Sequence, residues 1–251
     1  MLQNNDKQSN IICGKNPVLE ALRSGREIDR LLVAHGAEGG TVKEIIAKCS
    51  KKGILIKEVS GQKLDFYCGG ANHQGVAVMF ASHEYCSVDD ILLAAKEKGE
   101  DPFIIICDEI EDPHNLGAII RTAEVCGVHG IIIPKRRSAS LNATVSKTSA
   151  GALEYMKVAR VTNIAATIDE LKSKSVWVFG ADMDGEDYGL TDYRLPCAIV
   201  IGNEGKGIGP LVAKKCDKII SLPMRGKINS LNASVAAGVL MYKVMESRNS
   251  Q

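Results

Sequence analysis

From residue 102 onward, short unbroken apolar runs alternate with segments whose apolar positions recur every three or four residues. The runs cover 103–107, 130–134, 155–161, 176–181, 197–202 and 218–222. Between them the 3.6-residue period predicts a helix capped near Asn115 and ended by Gly127, one over 141–150 and one after Asn163. Two more are predicted near 208–215 and from about Leu231. Strands apolar on both faces, each followed by a helix, predict a parallel sheet covered on both sides, an α/β fold. The last helix, through Val235-Ala236-Ala237-Gly238-Val239-Leu240-Met241-Tyr242, is apolar around nearly its whole circumference. It must lie in the core or in a subunit contact.

Residues 11–81 read as a separate small α/β unit. Asn16 with Pro17 marks a helix start, and Gly25 can close that helix. Apolar runs at 28–34, 54–59 and 76–81 predict strands, and the spacing of Val42, Ile45, Ile46 and Cys49 predicts a helix over 41–52. Residues 1–10 are polar and lack the apolar core of a signal peptide, so they are expected to form a disordered tail. Ser87 with Asp90 forms a capping box for a short helix closed by Gly99, within a segment 82–101 expected to be the interdomain linker. Residues 102–251 form the second domain.

At 251 residues with 45% hydrophobic content, the chain has room for two cores, and no apolar run approaches the ~18 residues needed to span a bilayer. The eight cysteines are nowhere closer than 18 positions, which excludes CxxC-type metal or redox pairs; the expectation is reduced, structural thiols in a cytoplasmic protein without metal. A net charge of +1 argues against bulk electrostatic adhesion to nucleic acid. The distribution adds more: 11 Lys/Arg against 8 Asp/Glu in residues 1–80, 2 against 6 in 81–101, and 18 against 16 in 102–251. The acidic stretch divides two mildly basic parts. Lys135-Arg136-Arg137 is the densest basic cluster, readable simply as a solvated loop.

Three stretches carry polar residues and glycines beyond what packing requires. The first is Asp112-Pro113-His114-Asn115-Leu116-Gly117, running on to Arg121. Leu116, Ile119, Ile120 and Ala123 share one helical face, and Arg121 projects roughly 150° from its centre, toward a cleft, a partner or water. Asn115 suits an N-cap as well as a functional role. The second stretch, Gly202-Asn203-Glu204-Gly205-Lys206-Gly207, joins a strand to a helix, with glycines that let a ligand approach the main chain. It is no Walker A loop, since Lys206 is followed by Gly207-Ile208, and no first-strand dinucleotide fingerprint, since at least four strands precede it. A plain structural turn is the remaining alternative. The third is Ser230-Leu231-Asn232-Ala233-Ser234, with Ser221-Leu222-Pro223 before it. In isolation, Leu222 and Leu231 read equally well as core residues.

In this order the stretches resemble the three motifs of the SpoU (TrmH-like) branch of the SPOUT methyltransferases, which move a methyl group from S-adenosylmethionine to a ribose 2′-hydroxyl of RNA. The resemblance runs from about Ile12 to Met245. It implies an N-terminal L30e-like RNA-binding domain, which Asn72-His73-Gln74-Gly75-Val76 would end, and a C-terminal α/β domain with a deep trefoil knot. It further implies donor contacts at Gly202, Leu222 and Leu231, catalytic roles for Arg121, Asn115, Glu204, Ser230 and Asn232, and a homodimer formed through the last helix. Ser138-Ala139-Ser140-Leu141-Asn142-Ala143-Thr144 favours the subgroup that methylates a guanosine in the peptidyl-transferase region of 23S rRNA. Rival readings are tRNA or another rRNA site, and a noncatalytic RNA-binding assembly factor, against which the intact motif residues weigh. Guanidinium keeps its charge below pH ~12, so Arg121 suits phosphate orientation or stabilisation of a developing alkoxide better than proton removal. His114 is the nearest conventional base in the motifs.

Overall fold

The computed structural model describes residues 10–26, 28–81, 83–228 and 230–249. The expected tail therefore lies outside the described residues except for Asn10, whose carbonyl accepts the Phe80 N–H at 2.9 Å. The chain divides into two compact units, residues 1–84 and 85–251.

The first unit runs β1 (Ile11–Cys13), α1 (Lys15–Arg23), β2 (Ile28–Ala34), α2 (Gly40–Lys51), β3 (Leu55–Val59), α3 (Gly61–Cys68) and β4 (Val76–Phe80). Its sheet has the order β1-β4-β2-β3, with β2–β3 parallel and the other two pairs antiparallel. Period-two alternation sends Leu31, Val33, Val76 and Val78 to the face under α1 and α2, and Leu32 and Ala77 to the face under α3. Gly14, not Asn16, occupies the cap position of α1. Cys13 and Cys68 are joined in a disulfide with Cα atoms 6.1 Å apart, which corrects the expectation that all thiols are reduced. The two lie 55 residues apart and meet because α3 folds back over the end of β1.

The second unit runs α4 (Val88–Lys98), β5 (Phe103–Cys107), α5 (Pro113–Val125), β6 (Gly130–Pro134), α6 (Ala143–Thr148), β7 (Val158–Val161), α7 (Ile164–Ser173), β8 (Trp177–Asp187), β9 (Cys197–Ile201), α8 (Pro210–Lys215), β10 (Lys218–Ser221) and α9 (Ala233–Asn249). Its sheet has the order β10-β8-β9-β5-β6-β7, and every pairing is parallel. Along β5, Phe103, Ile105 and Cys107 join α5 and α9 on one face, while Ile104 and Ile106 join α4, α7 and α8 on the other. This two-sided burial is why the strands read as unbroken apolar runs.

The expected linker is largely absent. The Ser87–Asp90 capping box starts α4 as read from the sequence, but Val88, Ile91 and Ala95 are buried, and Ile91 lies so close to β6 that Gly130 has no room for a Cβ. Of its acidic residues, Asp89, Asp90 and Glu97 lie on the solvent side of this integral helix. α9 is likewise split: Ala237, Leu240, Met241 and Val244 are buried against α5, whereas Val235, Val239 and Tyr242, at i, i+4 and i+7, are exposed.

The chain leaves β5 in one direction through β6 and β7, then returns to place β8, and afterwards β9, on the other side. Such a reversal opens a crevice at the carboxyl ends of the flanking strands, here β5 and β9. All three polar stretches meet near it.

Candidate active site

The loop after β9 is built by its own backbone. Asn203 and Gly207 exchange N–H···O bonds of 3.0 and 2.8 Å, closing a tight turn, and Gly207 adopts φ +66°. The Asn203 side chain braces it twice, accepting the Gly205 N–H at Oδ1 (2.9 Å) and donating from Nδ2 to the Glu109 carbonyl (3.2 Å). A Cβ at Gly202 would sit inside the Gly207 carbonyl and the Ile208 amide. Glycine at 202 is thus required by the loop's own closure, a nearer cause than the ligand approach expected from sequence. The start of α8 is tied to β5 by Asp108, which accepts the Gly209 N–H at 2.8 Å. Burial pushes the Asp108 carboxyl up; the Gly209 N–H opposes this and the Glu109 charge adds to it.

Asn115 is not the cap of α5. Asp112 is, accepting the His114 N–H at 2.9 Å, with Pro113 at the first helical position. Asn115, only 8% exposed, is thereby released for a long-range contact: its Nδ2 donates to Glu204 Oε1 at 2.6 Å. Asn232 completes the junction, donating from Nδ2 to Glu204 Oε1 (2.5 Å) and to Asn115 Oδ1 (3.0 Å). The amide orientation of Asn232 is fixed from the other side, because its Oδ1 accepts from Ser234 N, Ser234 Oγ and Val235 N at the start of α9. The Ala233 N–H adds a weaker contact to Glu204 Oε1 at 3.4 Å. One residue from each stretch therefore converges on a single carboxylate oxygen. Glu204 is exposed, and its Oε2 has no hydrogen-bond partner among the described residues.

The other expected site residues are not drawn into this junction. Arg121 is exposed on α5, opposite the buried Leu116, Ile119, Ile120 and Ala123, with no ionic partner among the described residues. Ser230 is exposed and makes no hydrogen bond among the described residues. Leu222 packs half-buried against the core, while Leu231, next to Asn232, presents apolar surface to solvent. His114 is exposed, and its side chain is held by nothing among the described residues. Sequence reasoning missed Asp108 and the bracing of Asn203. Their only local signal is a polar residue just past the end of an apolar strand, Asp108 directly after β5 and Asn203 one residue further, after Gly202.

Residues 102–242 match the model of the SpoU rRNA methylase family, and residues 11–86 match that of the RNA 2′-O ribose methyltransferase substrate-binding domain. YacO of Bacillus subtilis strain 168, provisionally named a TrmH family tRNA/rRNA methyltransferase, is 50% identical over 244 residues, covering 97% of this chain and 98% of its own. A Staphylococcus aureus protein with the same provisional family name is 45% identical over 247 residues, covering 96% and 98%. Among solved structures, the SpoU methyltransferase AviRb of Streptomyces viridochromogenes in complex with AdoMet aligns with TM-score 0.62 at 23% identity, over 99% of this chain and 95% of its own. An AdoMet-bound rRNA methyltransferase of Sinorhizobium meliloti aligns with TM-score 0.56 at 24% identity, over 96% and 88%. Both structures bear on the fold alone.

Proposed function

The chain belongs to the SpoU rRNA methylase family, whose members are S-adenosylmethionine-dependent RNA 2′-O-methyltransferases, and we propose that it methylates the ribose of a guanosine in the peptidyl-transferase region of 23S rRNA, as a cytoplasmic homodimer. The observation that carries the site assignment is the junction of Asn115, Glu204 and Asn232 at the carboxyl ends of β5 and β9. It welds three segments far apart in sequence into one rigid floor, and rigidity of this kind is what a transfer reaction that depends on positioning requires. The segment preference within 138–144 supports the 23S target, the exposed Val235, Val239 and Tyr242 face of α9 supports dimerisation, and the C-terminal knot of the family belongs to the same proposal.

The residues present fit the donor. The glycine turn at 202–207 has its backbone already closed on itself, and Asp182 approaches Gly207 closely enough to crowd a Cβ there; Leu222 is half-buried against the core, and Leu231, next in sequence to Asn232, offers apolar surface. Backbone amides, apolar surface and a nearby carboxylate suit a neutral purine nucleoside carrying a sulfonium charge. Gly202, Leu222 and Leu231 would hold it. When bound, S-adenosylmethionine supplies an electrophilic methyl carbon.

The chain's own residues then orient the ribose and take its proton. As the 2′-oxygen forms its bond to the methyl carbon, the bond from that carbon to sulfur breaks and the hydroxyl proton must leave. Arg121 holds the phosphate next to the target ribose or offsets the developing negative oxygen. We assign the proton to Glu204 Oε2, because the other oxygen is fixed by three N–H donors while this one keeps its lone pairs free. Ser230, exposed and two residues before Asn232, is assigned a contact to the nucleotide. The test is to incubate the full chain with methyl-labelled donor and unmodified transcripts of 23S rRNA and tRNA, then map the labelled nucleotide. A ribose methyl removes the 2′-hydroxyl, so the modified linkage resists alkaline cleavage. Label in tRNA alone, or in an alkali-sensitive linkage, would overturn the assignment.

A further inference from the structure

The cluster Lys135-Arg136-Arg137 is not used by the site as described, and its geometry is unusual. Arg137 (φ +55°) and Glu109 (φ +59°) both adopt the left-handed conformation that side-chain-bearing residues rarely take, and they face each other across a 2.8 Å ion pair. An exposed pair returns too little to offset two such backbone strains, so the pair does not explain its own geometry. The loop carrying it is pinned at both ends. Lys135 N–H donates to the Val161 carbonyl (2.8 Å), Ala139 N–H to the Ile110 carbonyl (2.8 Å), and Leu141 N–H to Tyr85 Oη (3.0 Å). Strain and tethers together present three cations to solvent: Arg137 has a side chain 73% exposed, and Lys135 and Arg136 are exposed without ionic partners among the described residues. The loop follows β6, the immediate neighbour of β5, and Glu109 links it to the glycine turn, since the same residue's carbonyl accepts from Asn203 Nδ2.

We propose that Arg137, with Lys135 and Arg136, is a positioning site for the phosphodiester backbone of the RNA strand being methylated, with Glu109 holding the guanidinium fork in register until a phosphate takes its place. A planar fork that meets a carboxylate meets a phosphate in the same way. Glu109, paired to Arg137, and the charge of Glu111 both act on that guanidinium, so the site favours a ligand able to displace a carboxylate from Arg137. This inference rests on the reading of the chain as an RNA methyltransferase.

The experiment uses the full chain, unmodified 23S rRNA and tRNA transcripts, and binding measured across salt concentrations. Each phosphate contact contributes about 0.7–0.9 to the slope of log affinity against log salt. K135Q/R136Q/R137Q should lower that slope by about 2–3, and K135Q/R136Q, which breaks no side-chain hydrogen bond or ion pair among the described residues, by about 1.4–1.8. Arg137→Lys should restore part of the slope but not the full affinity, and Glu109→Gln should raise affinity, the opposite of what loss of a merely structural ion pair would do. In turnover the loss should fall on KM, and S-adenosylhomocysteine affinity should stay within about twofold. Slopes equal to wild type in both multiple variants, or weaker RNA binding by Glu109→Gln, would overturn the proposal. Failure of the wild type to transfer methyl groups at all would instead sink the methyltransferase reading, and the binding slopes would still decide this one.

Discussion

Substitution of Glu204 tests anchoring and the proposed proton removal separately, because the two are assigned to different oxygens of one carboxylate. Oε1 receives N–H donors from Asn115 at 2.6 Å and Asn232 at 2.5 Å, whereas Oε2 has no hydrogen-bond partner among the described residues. Glu204→Gln keeps an acceptor where Oε1 stands and removes the basic oxygen. Each charge-assisted bond, worth about 1.5–3 kcal/mol, becomes a neutral one worth about 0.5–1.5 kcal/mol. Over two bonds, and discounted because Glu204 is exposed, the loss is on the order of 1–2 kcal/mol. Glu204→Ala removes both acceptors and strands the Nδ2 group of the buried Asn115, at about 1–3 kcal/mol. Against a domain stability of roughly 5–15 kcal/mol, both variants should fold.

Their activities should then diverge by different routes. Glu204→Gln should bind S-adenosylhomocysteine within a few-fold of wild type by calorimetry, melt within a few degrees of it, and lose about 10²–10⁴-fold in kcat, the range of a removed general base. Glu204→Ala should lose donor affinity as well, since the hydrogen bonds that tie the glycine turn to Asn115 of α5 and to the start of α9 are then gone. If Glu204→Gln turns over within about tenfold of wild type, Oε2 is not the proton acceptor and His114 becomes the next group to replace. If Glu204→Ala retains full donor affinity and melting temperature, the junction is not what holds the turn.

Gly202→Ala should weaken S-adenosylhomocysteine binding by about tenfold or more, because the new Cβ forces the Gly207–Ile208 backbone apart; wild-type binding should be unchanged by EDTA, and calorimetry checks both. Arg121→Ala should cut labelled-methyl transfer at least a hundredfold with donor affinity and melting curve unchanged, since the side chain is exposed and has no ionic partner among the described residues; near-normal transfer would remove it from the chemistry. His129 accepts the Phe103 N–H at Nδ1 and faces Glu100 through Nε2, and burial pushes its pKa down. The folded pKa being below the unfolded value of ~6.5, its contribution is complete above that value and is lost as the pH falls through the folded one, so wild type should melt lower at pH 5 than at pH 7.5, with a smaller drop in His129→Gln. Val239→Asp, on the exposed face of α9, should shift the chain toward monomer in sedimentation equilibrium without lowering donor affinity; an unchanged mass would place any dimer contact elsewhere.

What the sequence made legible, and what it hid, follows from how far apart the interacting residues lie. The strands of the second unit were readable because both faces of each are buried, which leaves a local signature in composition alone. The capping box of α4 was readable because its two partners are three residues apart. The helix α3 was not foreseen: it buries only Leu64 and Cys68, too few positions to establish a period, and its pairing of Cys68 with Cys13 spans 55 residues. The segment 82–101 was misread for a different reason. Its acidic excess is real, but it lies on the solvent side of α4, while Val88, Ile91 and Ala95 at i, i+3 and i+7 mark the buried side. A fragment cut at residue 102 would therefore strip Ile91 from Gly130 and uncover Ile104 and Ile106; a cut before Tyr85 keeps the unit whole. Asn115 shows the limit most clearly. Three residues into its helix it looked like a cap, yet Asp112-Pro113 just upstream already supplies one, and a polar side chain with no local duty on a buried face has to find its partner elsewhere. That partner lies 89 residues away in a loop whose own geometry is set by Asn203 and Gly207, so only the folded sheet, bringing the ends of β5 and β9 side by side, could disclose it.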